Sequence, residues 1–418
     1  MASVICPPYD IITPQMQQEL YQRNEYNFIR LEFGRELPQD TASDNKYTRS
    51  SATLEQWLKQ GVLKIDETPA IYLHNHYFTY QGKRYKRRGI IALVRLEDWD
   101  KRVVRPHEGT LTKPKGDRLN LLWALQANTS PILALFEDQA QLVSSLLTSQ
   151  EPGEPVLNAC LADGEEHRVW AITEPEAVDK IRSSLANQPL YIADGHHRYE
   201  SALAYRRERH ACASSPSGDD PFDFVMMTLV DISDPGLVIL PTHRLVRGIL
   251  ASTLDKLMAK LKTFFEIERV PLNMPDVWQQ VDSLLVNGSN EVKLVLFGPE
   301  KGHLLVLRLR DFTTASQMMP YFHSELYKSL DVSAVDHLIL EKLLGLSGDR
   351  EGALLAYSYD ILNTVKKVVD GEYQMAFLLN PAKVEVVKAI ADAGDRMPRK
   401  STYFYPKLPT GFVCHRLV

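Results

Sequence analysis

The sequence predicts a mixed α/β (α+β) fold built from two domains. With 418 residues, the chain is long for a single hydrophobic core. Hydrophobic residues make up 44% and charged residues 24%, which are the proportions of an ordinary globular protein. Short apolar runs typical of buried strands alternate with amphipathic segments typical of helices. We therefore predict a first domain over residues 1–248 and a second α/β domain over residues 249–418.

The first part of the chain predicts both kinds of element. Helices are predicted over residues 15–23, 47–59, 119–126, 139–147 and 200–209, and strands over 26–32, 70–77, 88–96, 130–136, 190–193 and 224–230. The strands 70–77 and 88–96 are predicted to form a hairpin across Gln81-Gly82. From about residue 253 the pattern changes to regular alternation of helices and strands, which predicts the second domain.

Composition excludes several classes of protein. The formal net charge is −5, from 48 basic and 53 acidic residues, so nothing global favours nucleic acid or an anionic membrane as a partner. No apolar run approaches the roughly 20 residues of a membrane span. The N-terminus lacks a signal-peptide pattern, and we therefore predict a cytoplasmic protein. The four cysteines are scattered without CxxC spacing, which disfavours a zinc knuckle or a disulfide framework.

A compact polar motif follows the strand predicted over residues 190–193. Asp194, Gly195, His196, His197 and Arg198 lie where that strand turns into a helix. A helix start presents unpaired N–H groups, and glycine allows close approach of the backbone, so an anion such as phosphate is favoured there. The alternative is that Asp194 caps the helix while the histidines bond to backbone groups.

Three further stretches carry concentrated charge. Residues 105–118 mix ionisable groups with proline and glycine, which predicts a loop with a functional role. A basic run at residues 83–88 predicts a solvated turn, with phosphate or nucleic-acid contact as the alternative. The motif at residues 397–407 combines lysines with aromatic rings, and is either a packed edge strand or part of an anionic-ligand site. Arg244 is either a second anion ligand or one side of an ion pair at a domain interface.

The Asp194-Gly195-His196-His197-Arg198 motif resembles the phosphate-binding loop of the ParB and sulfiredoxin superfamily. That superfamily includes nucleotide-binding partition proteins, sulfiredoxins and kinases that phosphorylate free serine. From Pro7-Pro8-Tyr9-Asp10 to the motif at residues 400–407, the whole chain resembles a bacterial and archaeal family of unknown function that carries this loop. The resemblance implies a ParB/sulfiredoxin-like nucleotide-binding core in the first domain.

The resemblance also implies roles for particular residues. The His107-Glu108 pair is similar to the His-Glu pair of the serine kinases, in which the glutamate is the catalytic carboxylate. The alternative is that Glu108 holds its own loop by hydrogen bonds. The predicted catalytic residues are Glu108, Asp194 and His197, with Asp194 also holding Mg²⁺. The predicted nucleotide or phosphate ligands are Gly195, His196, His197, Arg198, Thr110, Lys113, Lys115, Arg118 and Arg244.

These residues together predict a kinase that uses Mg²⁺ and either ATP or ADP. Phosphoryl transfer needs donors for the phosphates, a divalent cation and a carboxylate near the acceptor hydroxyl. Mg²⁺ suits a site with few carboxylates better than zinc does. The predicted acceptor is a small hydroxyl metabolite, with free L-serine implied by the resemblance. The alternatives are a nucleotide-gated DNA-binding or regulatory protein of the ParB type and a metabolite-binding protein without activity.

Overall fold

The computed structural model describes residues 1–151, 153–212, 217–285, 291–346 and 351–418, and the fold is mixed α/β as predicted. Two compact units divide the chain. The first unit comprises Met1–Pro106, Thr110–Val238 and Pro406–Val418, and the second comprises His107–Gly109 and Ile239–Tyr405. Among the described residues, none of the helices has the length and apolar character that a bilayer crossing requires.

Neither compact unit is a single continuous range of sequence. The C-terminal segment belongs to the first unit, where His415–Arg416 pairs with Ala127–Asn128. Glu108 belongs to the second unit, where it forms a parallel bridge with Met397. Backbone pairing between residues distant in sequence thus assigns these segments. The predicted division into domains at residues 1–248 and 249–418 stays a prediction.

The first unit alternates helices with strands. Its helices are Tyr9–Ile11, Pro14–Arg23, Ile29–Glu32, Lys46–Lys59, Trp99–Lys101, Thr112–Leu125, Leu142–Ser149, Pro175–Leu185, His196–Cys212 and Pro221–Asp223. Its strands are Ile71–Tyr80, Lys83–Arg95, Val104–Pro106, Ala127–Asn128, Ile132–Phe136, Leu157–Cys160, Glu166–Ile172, Leu190–Asp194, Phe224–Asp231 and His415–Arg416, and Val238–Leu240 follows at the unit boundary.

Eight strands of the first unit form one mixed sheet. In spatial order they are Val104–Pro106, Leu190–Asp194, Ile132–Phe136, Phe224–Asp231, Lys83–Arg95, Ile71–Tyr80, Glu166–Ile172 and Leu157–Cys160. Every residue of Ile132–Phe136 is buried, as expected for a central strand that is covered on both faces. The sheet therefore places the C-terminal end of Leu190–Asp194 beside a rigid core.

The strand predicted over residues 26–32 is wrong, because this segment contains a turn and the short helix Ile29–Glu32. The side chain of Asn27, which is fully buried, accepts a hydrogen bond from the backbone N–H of Ile29 at 3.0 Å. Its amide nitrogen donates to the carbonyl oxygens of Ser3 and Ile5. Such local side-chain bonds compete with a strand, and here they fix the turn.

The predicted hairpin is confirmed, but its turn is shorter than expected. Only Gln81 and Gly82 lie between the two strands, and both have positive φ, of 48° and 74°. Two residues of this conformation form the tight turn that matches the twist of paired strands. The basic run at residues 83–88 is therefore part of the strand Lys83–Arg95 and not a solvated turn.

The charged stretch at residues 105–118 is only partly a loop. The helix Thr112–Leu125 begins inside it, so Lys115, Asp117 and Arg118 are helical. Pro114 lies in the first turn, where a missing N–H removes no intrahelical hydrogen bond. Pro114 is therefore compatible with the start of a helix and does not by itself indicate a loop.

The second unit contains a six-stranded antiparallel sheet. Its strand order is Phe265–Pro271, His303–Leu309, Lys293–Phe297, Met375–Leu378, His243–Val246 and Leu355–Ser358, and a further short strand is Tyr403–Tyr405. Its helices are Ala251–Phe264, Val281–Leu285, Phe312–Gln317, Glu325–Lys328, Asp331–Ser333, the π-helix Ala334–Leu343, Glu351–Leu354, Ile361–Val369 and Val384–Asp392. Aliphatic side chains from the sheet and from Ala334–Leu343 pack into one core of this unit.

Candidate functional site

The central loop, residues 194–198, joins the strand Leu190–Asp194 to the helix His196–Cys212 as predicted. Gly195 has a φ of +96°, which L side chains rarely adopt. A β-carbon on Gly195 would also lie 2.9 Å from Nε of Arg198. The turn into the helix therefore requires glycine for two separate reasons.

Asp194 pairs with two cations. Its Oδ2 accepts a hydrogen bond from Nη2 of Arg198 at 2.6 Å, and its Oδ1 accepts one from Nζ of Lys407. Burial alone would raise the pKa of Asp194, but Lys407 and Arg198 outweigh it and hold this pKa below its usual value. Asp194 is therefore ionised at neutral pH, although its side chain is only 17% exposed.

The guanidinium group of Arg198 has one partner inside the central loop and one outside it. Beyond Asp194, its Nη1 donates a hydrogen bond to the carbonyl oxygen of Pro131. Both ends of the guanidinium fork therefore bond to protein oxygens. The predicted role of Arg198 as a forked phosphate donor would require these bonds to be exchanged.

Lys407, near the C-terminus, contacts the central loop and also lies close to a residue near the N-terminus. Its ammonium also lies 3.8 Å from Oδ2 of Asp10, which belongs to the N-terminal Pro7-Pro8-Tyr9-Asp10 motif. Three motifs that are distant in sequence thus meet within the first unit. The sequence predicts, as one of two alternatives, that the motif ending at Lys407 is part of an anionic-ligand site, but it does not predict the contact with Asp194. The approach of Lys407 to Asp194 spans 213 residues of sequence.

Arg118 lies in a neighbouring buried network. Its Nη2 bonds to Asp117 at 2.6 Å, and its Nη1 lies 3.3 Å from Oε1 of Glu32. The guanidinium carbon lies 4.0 Å from the centre of the Tyr9 ring, within cation–π range. Burial raises the pKa of Tyr9 to about 12, so the ring keeps its hydroxyl proton. Arg118 therefore stabilises the N-terminal motif through its contact with the Tyr9 ring.

Three residues around the start of the helix Thr112–Leu125 contact the first turns of the helix His196–Cys212, namely Thr110, Leu111 and Lys115. Thr110 donates to Glu200 at 2.6 Å, and Nζ of Lys115 lies 3.8 Å from the same carboxylate. The backbone N–H of Leu111 donates to Nε2 of His197 at 2.9 Å, so this nitrogen is an acceptor and a neutral ring carries its proton on Nδ1. The side chain of Lys113 lies outside the described part of the structure. His196 is buried.

Glu108 lies in the second unit, among backbone donors. Its Oε1 accepts hydrogen bonds from the backbone N–H of Ser401 at 3.0 Å and of Thr402 at 3.2 Å. The hydroxyl of Thr402 lies 3.2 Å from this oxygen and 2.9 Å from Nε2 of His107. The His107-Glu108 pair and part of the C-terminal motif therefore form one local structure. These bonds correspond to the alternative in which Glu108 holds its own loop.

Arg244 forms a buried ion pair in the second unit. Its Nε and Nη2 donate to the two carboxylate oxygens of Asp336, both at 3.1 Å. Its Nη1 donates to the carbonyl oxygens of Thr242 and Lys400 at 2.6 and 3.0 Å. The residue is 0% exposed. This is the ion-pair alternative, and both partners lie in the second compact unit.

One group of described side chains has ligand-type atoms close enough for a metal ion. Atoms of His76, Glu165 and His167 lie within 4.8 Å of one another. Arg87, however, donates to Nδ1 of His76 at 3.0 Å, which leaves the ring proton on Nε2, 2.7 Å from Glu165. A metal ion could bind His76 only through Nε2, which already carries the ring proton. It would also lie beside the buried guanidinium group of Arg87. The group does not fit a metal.

The basic run of the first unit lines a cavity of about 420 Å³. Arg84 pairs with Glu166 at 3.1 Å, and Lys86 and Arg88 both bond to Glu151. The cavity is also lined by Asp231 and Asp234 among other residues. Carboxylates thus balance much of its positive charge, which does not favour contact with nucleic acid.

The fold and the site define a mixed α/β protein with a charged loop where a strand turns into a helix. The chain belongs to the family described as "Protein of unknown function (DUF1015)", whose model matches residues 1–333. This confirms the predicted membership of a family of unknown function. The ParB/sulfiredoxin character of the loop stays a prediction.

Several solved structures are similar to this chain at low identity. A conserved hypothetical protein from Pyrococcus furiosus is 14% identical, with 77% of this chain and 93% of that chain covered and a TM-score of 0.35. A free serine kinase in complex with AMP is 13% identical, with 75% and 86% covered and a TM-score of 0.35. SbnI from Staphylococcus aureus is 11% identical, with 76% and 84% covered and a TM-score of 0.35. No curated protein gives a significant match.

Proposed function

We propose that this chain is a nucleotide-dependent phosphotransferase that acts on a small hydroxyl-bearing metabolite, with free L-serine as the first acceptor to test. One observation carries the proposal. A glycine turn at a helix start is flanked by an ionised carboxylate, Asp194, and by two cations, Arg198 and Lys407. Phosphoryl transfer depends on charges positioned around the phosphates, and this loop concentrates such groups.

In the proposal, the backbone at Gly195, His196 and His197 binds phosphate oxygens at the helix start. Thr110 and Lys115 supply further polar contacts in exchange for their contacts with Glu200. Arg118 and Arg244 keep structural roles, because their guanidinium groups already bond to protein carboxylates. This narrows the set of phosphate ligands predicted from the sequence.

Mg²⁺ is part of the proposal because a single carboxylate together with phosphate oxygens is a donor set that this ion prefers. Asp194 is the residue that would help to hold it, which requires Lys407 to give up its contact with the Asp194 carboxylate. The ion would neutralise phosphate charge. The protein's own contribution is to keep Asp194 ionised and oriented by Arg198.

Glu108 is proposed to take the proton of the acceptor hydroxyl. The hydroxyl oxygen attacks the terminal phosphorus of ATP or ADP, a new P–O bond forms, and the bond to the leaving ADP or AMP breaks. The acceptor proton moves to the Glu108 carboxylate. The backbone N–H groups of Ser401 and Thr402 orient that carboxylate.

The direct test incubates the purified full chain with Mg²⁺, either ATP or ADP, and a panel of amino acids. We expect a phosphorylated amino acid, detected by ³¹P NMR and mass spectrometry, and the two nucleotides are compared in parallel. Asp194→Ala is expected to abolish the product. Asp98→Ala is the matched control, because Asp98 also pairs with two arginines of the first unit.

The proposal has a clear contrary result. Absence of product across the panel, together with unchanged nucleotide binding in Asp194→Ala and Arg198→Ala, would show that the central loop is not a phosphate site. Product formation that survives Asp194→Ala would likewise remove the loop from the reaction.

A further inference from the structure

We propose that Lys407 is a phosphate-binding residue that exchanges partners, with Asp194 and Asp10 holding its ammonium group until a nucleotide binds. This inference rests on the proposed nucleotide-binding function and adds a residue to it. Lys407 contacts Asp194 directly and lies 3.8 Å from Asp10. A phosphate group presents the same kind of anionic oxygens to this ammonium group.

The two cations at the central loop differ in their freedom to move. Arg198 bonds to Asp194 and to the Pro131 carbonyl oxygen through the two ends of a planar fork. Gly195 lies against the same guanidinium group. A lysine instead carries a point charge on four flexible methylene groups and can change partner by rotation of its side chain. Lys407 is therefore the cation that can follow a ligand.

The backbone around Lys407 is anchored, so that only the side chain needs to move. The carbonyl oxygen of Pro406 accepts a hydrogen bond from Nη2 of the buried Arg87 at 2.8 Å. Three residues after Lys407, Thr410 exchanges two backbone hydrogen bonds with Cys6, at 2.8 and 3.1 Å. These bonds place Lys407 at the loop without fixing the ammonium itself.

The charges at the central loop explain why Lys407 can exchange Asp194 for a phosphate group as its partner. Two carboxylates, Asp194 and Asp10, face two cations, Arg198 and Lys407, and the side chain of Lys407 is only 10% exposed. Leaving a buried ammonium group without an anionic partner is strongly destabilising. An incoming phosphate can take over from Asp194 as that partner, while Arg198 continues to pair with Asp194.

The test compares binding of adenosine, AMP, ADP and ATP by isothermal titration calorimetry. In Lys407→Met we expect ADP and ATP affinity to fall about 10-fold or more and adenosine affinity to stay unchanged, because a charged hydrogen bond to phosphate is lost. Lys407→Arg is expected to retain most of the ADP affinity. Asp10→Asn is expected to raise it about 2- to 5-fold, because one competing carboxylate loses its charge.

Lys328→Met provides the matched control. Lys328 is a similarly buried lysine, 11% exposed and paired with Glu325 at 2.9 Å in the second unit. Its replacement is expected to leave all four affinities unchanged. Equal weakening of adenosine and ADP in Lys407→Met, or weaker ADP binding in Asp10→Asn, would overturn the inference.

The outcomes separate this inference from the proposed function. A wild-type chain that binds and uses nucleotides while Lys407→Met behaves identically would refute only the role of Lys407. A wild-type chain that binds no nucleotide would refute the proposed function itself. If Lys407→Met does not fold, the ADP affinity retained in Lys407→Arg and the higher ADP affinity expected for Asp10→Asn still test the inference.

Discussion

Gly195 lies directly against Arg198, so that a β-carbon added to Gly195 would be 2.9 Å from Nε of the arginine. The arginine cannot easily withdraw, because Asp194 and the Pro131 carbonyl oxygen hold its guanidinium group. The backbone at Gly195 also has a φ of +96°. The shape of the central loop therefore depends on one missing side chain.

Gly195→Ala is expected to lower the free energy of unfolding by about 1–3 kcal/mol, through backbone strain and displacement of Arg198. Gly61→Ala separates the two effects, because Gly61 has a φ of +71° but no atom within 4 Å of its β-carbon position. Urea unfolding of both variants measures the difference. An equal loss of stability in the two variants would contradict the close contact with Arg198.

Glu108→Gln is expected to lower kcat about 10²- to 10⁴-fold, because an amide cannot accept the proton of the acceptor hydroxyl. The amide oxygen can still accept the N–H groups of Ser401 and Thr402, so the fold should persist. Nucleotide affinity should not change. Steady-state kinetics with calorimetry measures both quantities, and Glu325→Gln, an exposed carboxylate of the second unit, serves as control. An unchanged kcat would leave Glu108 with a purely structural role.

Arg244→Met is expected to lower the free energy of unfolding by about 3–5 kcal/mol, because it removes the fully buried partner of Asp336 and leaves that partly buried carboxylate without its main ion pair. Arg308→Met, which removes an exposed pair with Glu268 in the same unit, should change stability by no more than about 1 kcal/mol. Thermal and urea unfolding measure both. An Arg244→Met chain with wild-type stability and lost nucleotide binding would restore Arg244 as a phosphate ligand.

Glu165→Gln is expected to remove a pH-dependent loss of stability. Burial raises the pKa of Glu165 from its ordinary value of 4.5 to about 7, while the unfolded chain ionises near the ordinary value. Between these values the unfolded state binds fewer protons, so the contribution of Glu165 to stability decreases as pH rises. The stability of Glu165→Gln relative to wild type should therefore increase by up to about 3 kcal/mol from pH 4.5 to 7.5.

Unfolding by urea at several pH values tests this, with the difference between variant and wild type as the measured quantity. The buried histidines titrate in both proteins and largely cancel in that difference. Burial lowers the pKa of His167 to about 3, for example, and this shift is shared by both chains. A difference that stays constant across the range would show that Glu165 titrates normally.

Local sequence predicted the elements around the site well. The apolar run before Asp194 becomes a strand, Gly195 turns the chain, and the following residues begin a helix, because each depends on neighbours within a few residues. Prediction failed where a side chain acted on nearby backbone. Asn27 fixes a turn within a pattern that alternates like a strand, and Pro114 lies within the first turn of a helix.

The amino-acid sequence by itself determined the fold class, the central loop and the residue types available for phosphate chemistry. The tertiary structure alone decided which charges meet: Lys407 with Asp194 across 213 residues, and Arg244 with Asp336 across 92. Periodicity and motif spacing describe neighbours along the chain. Ion pairs form between groups that packing brings together, so their partners follow only from the folded arrangement.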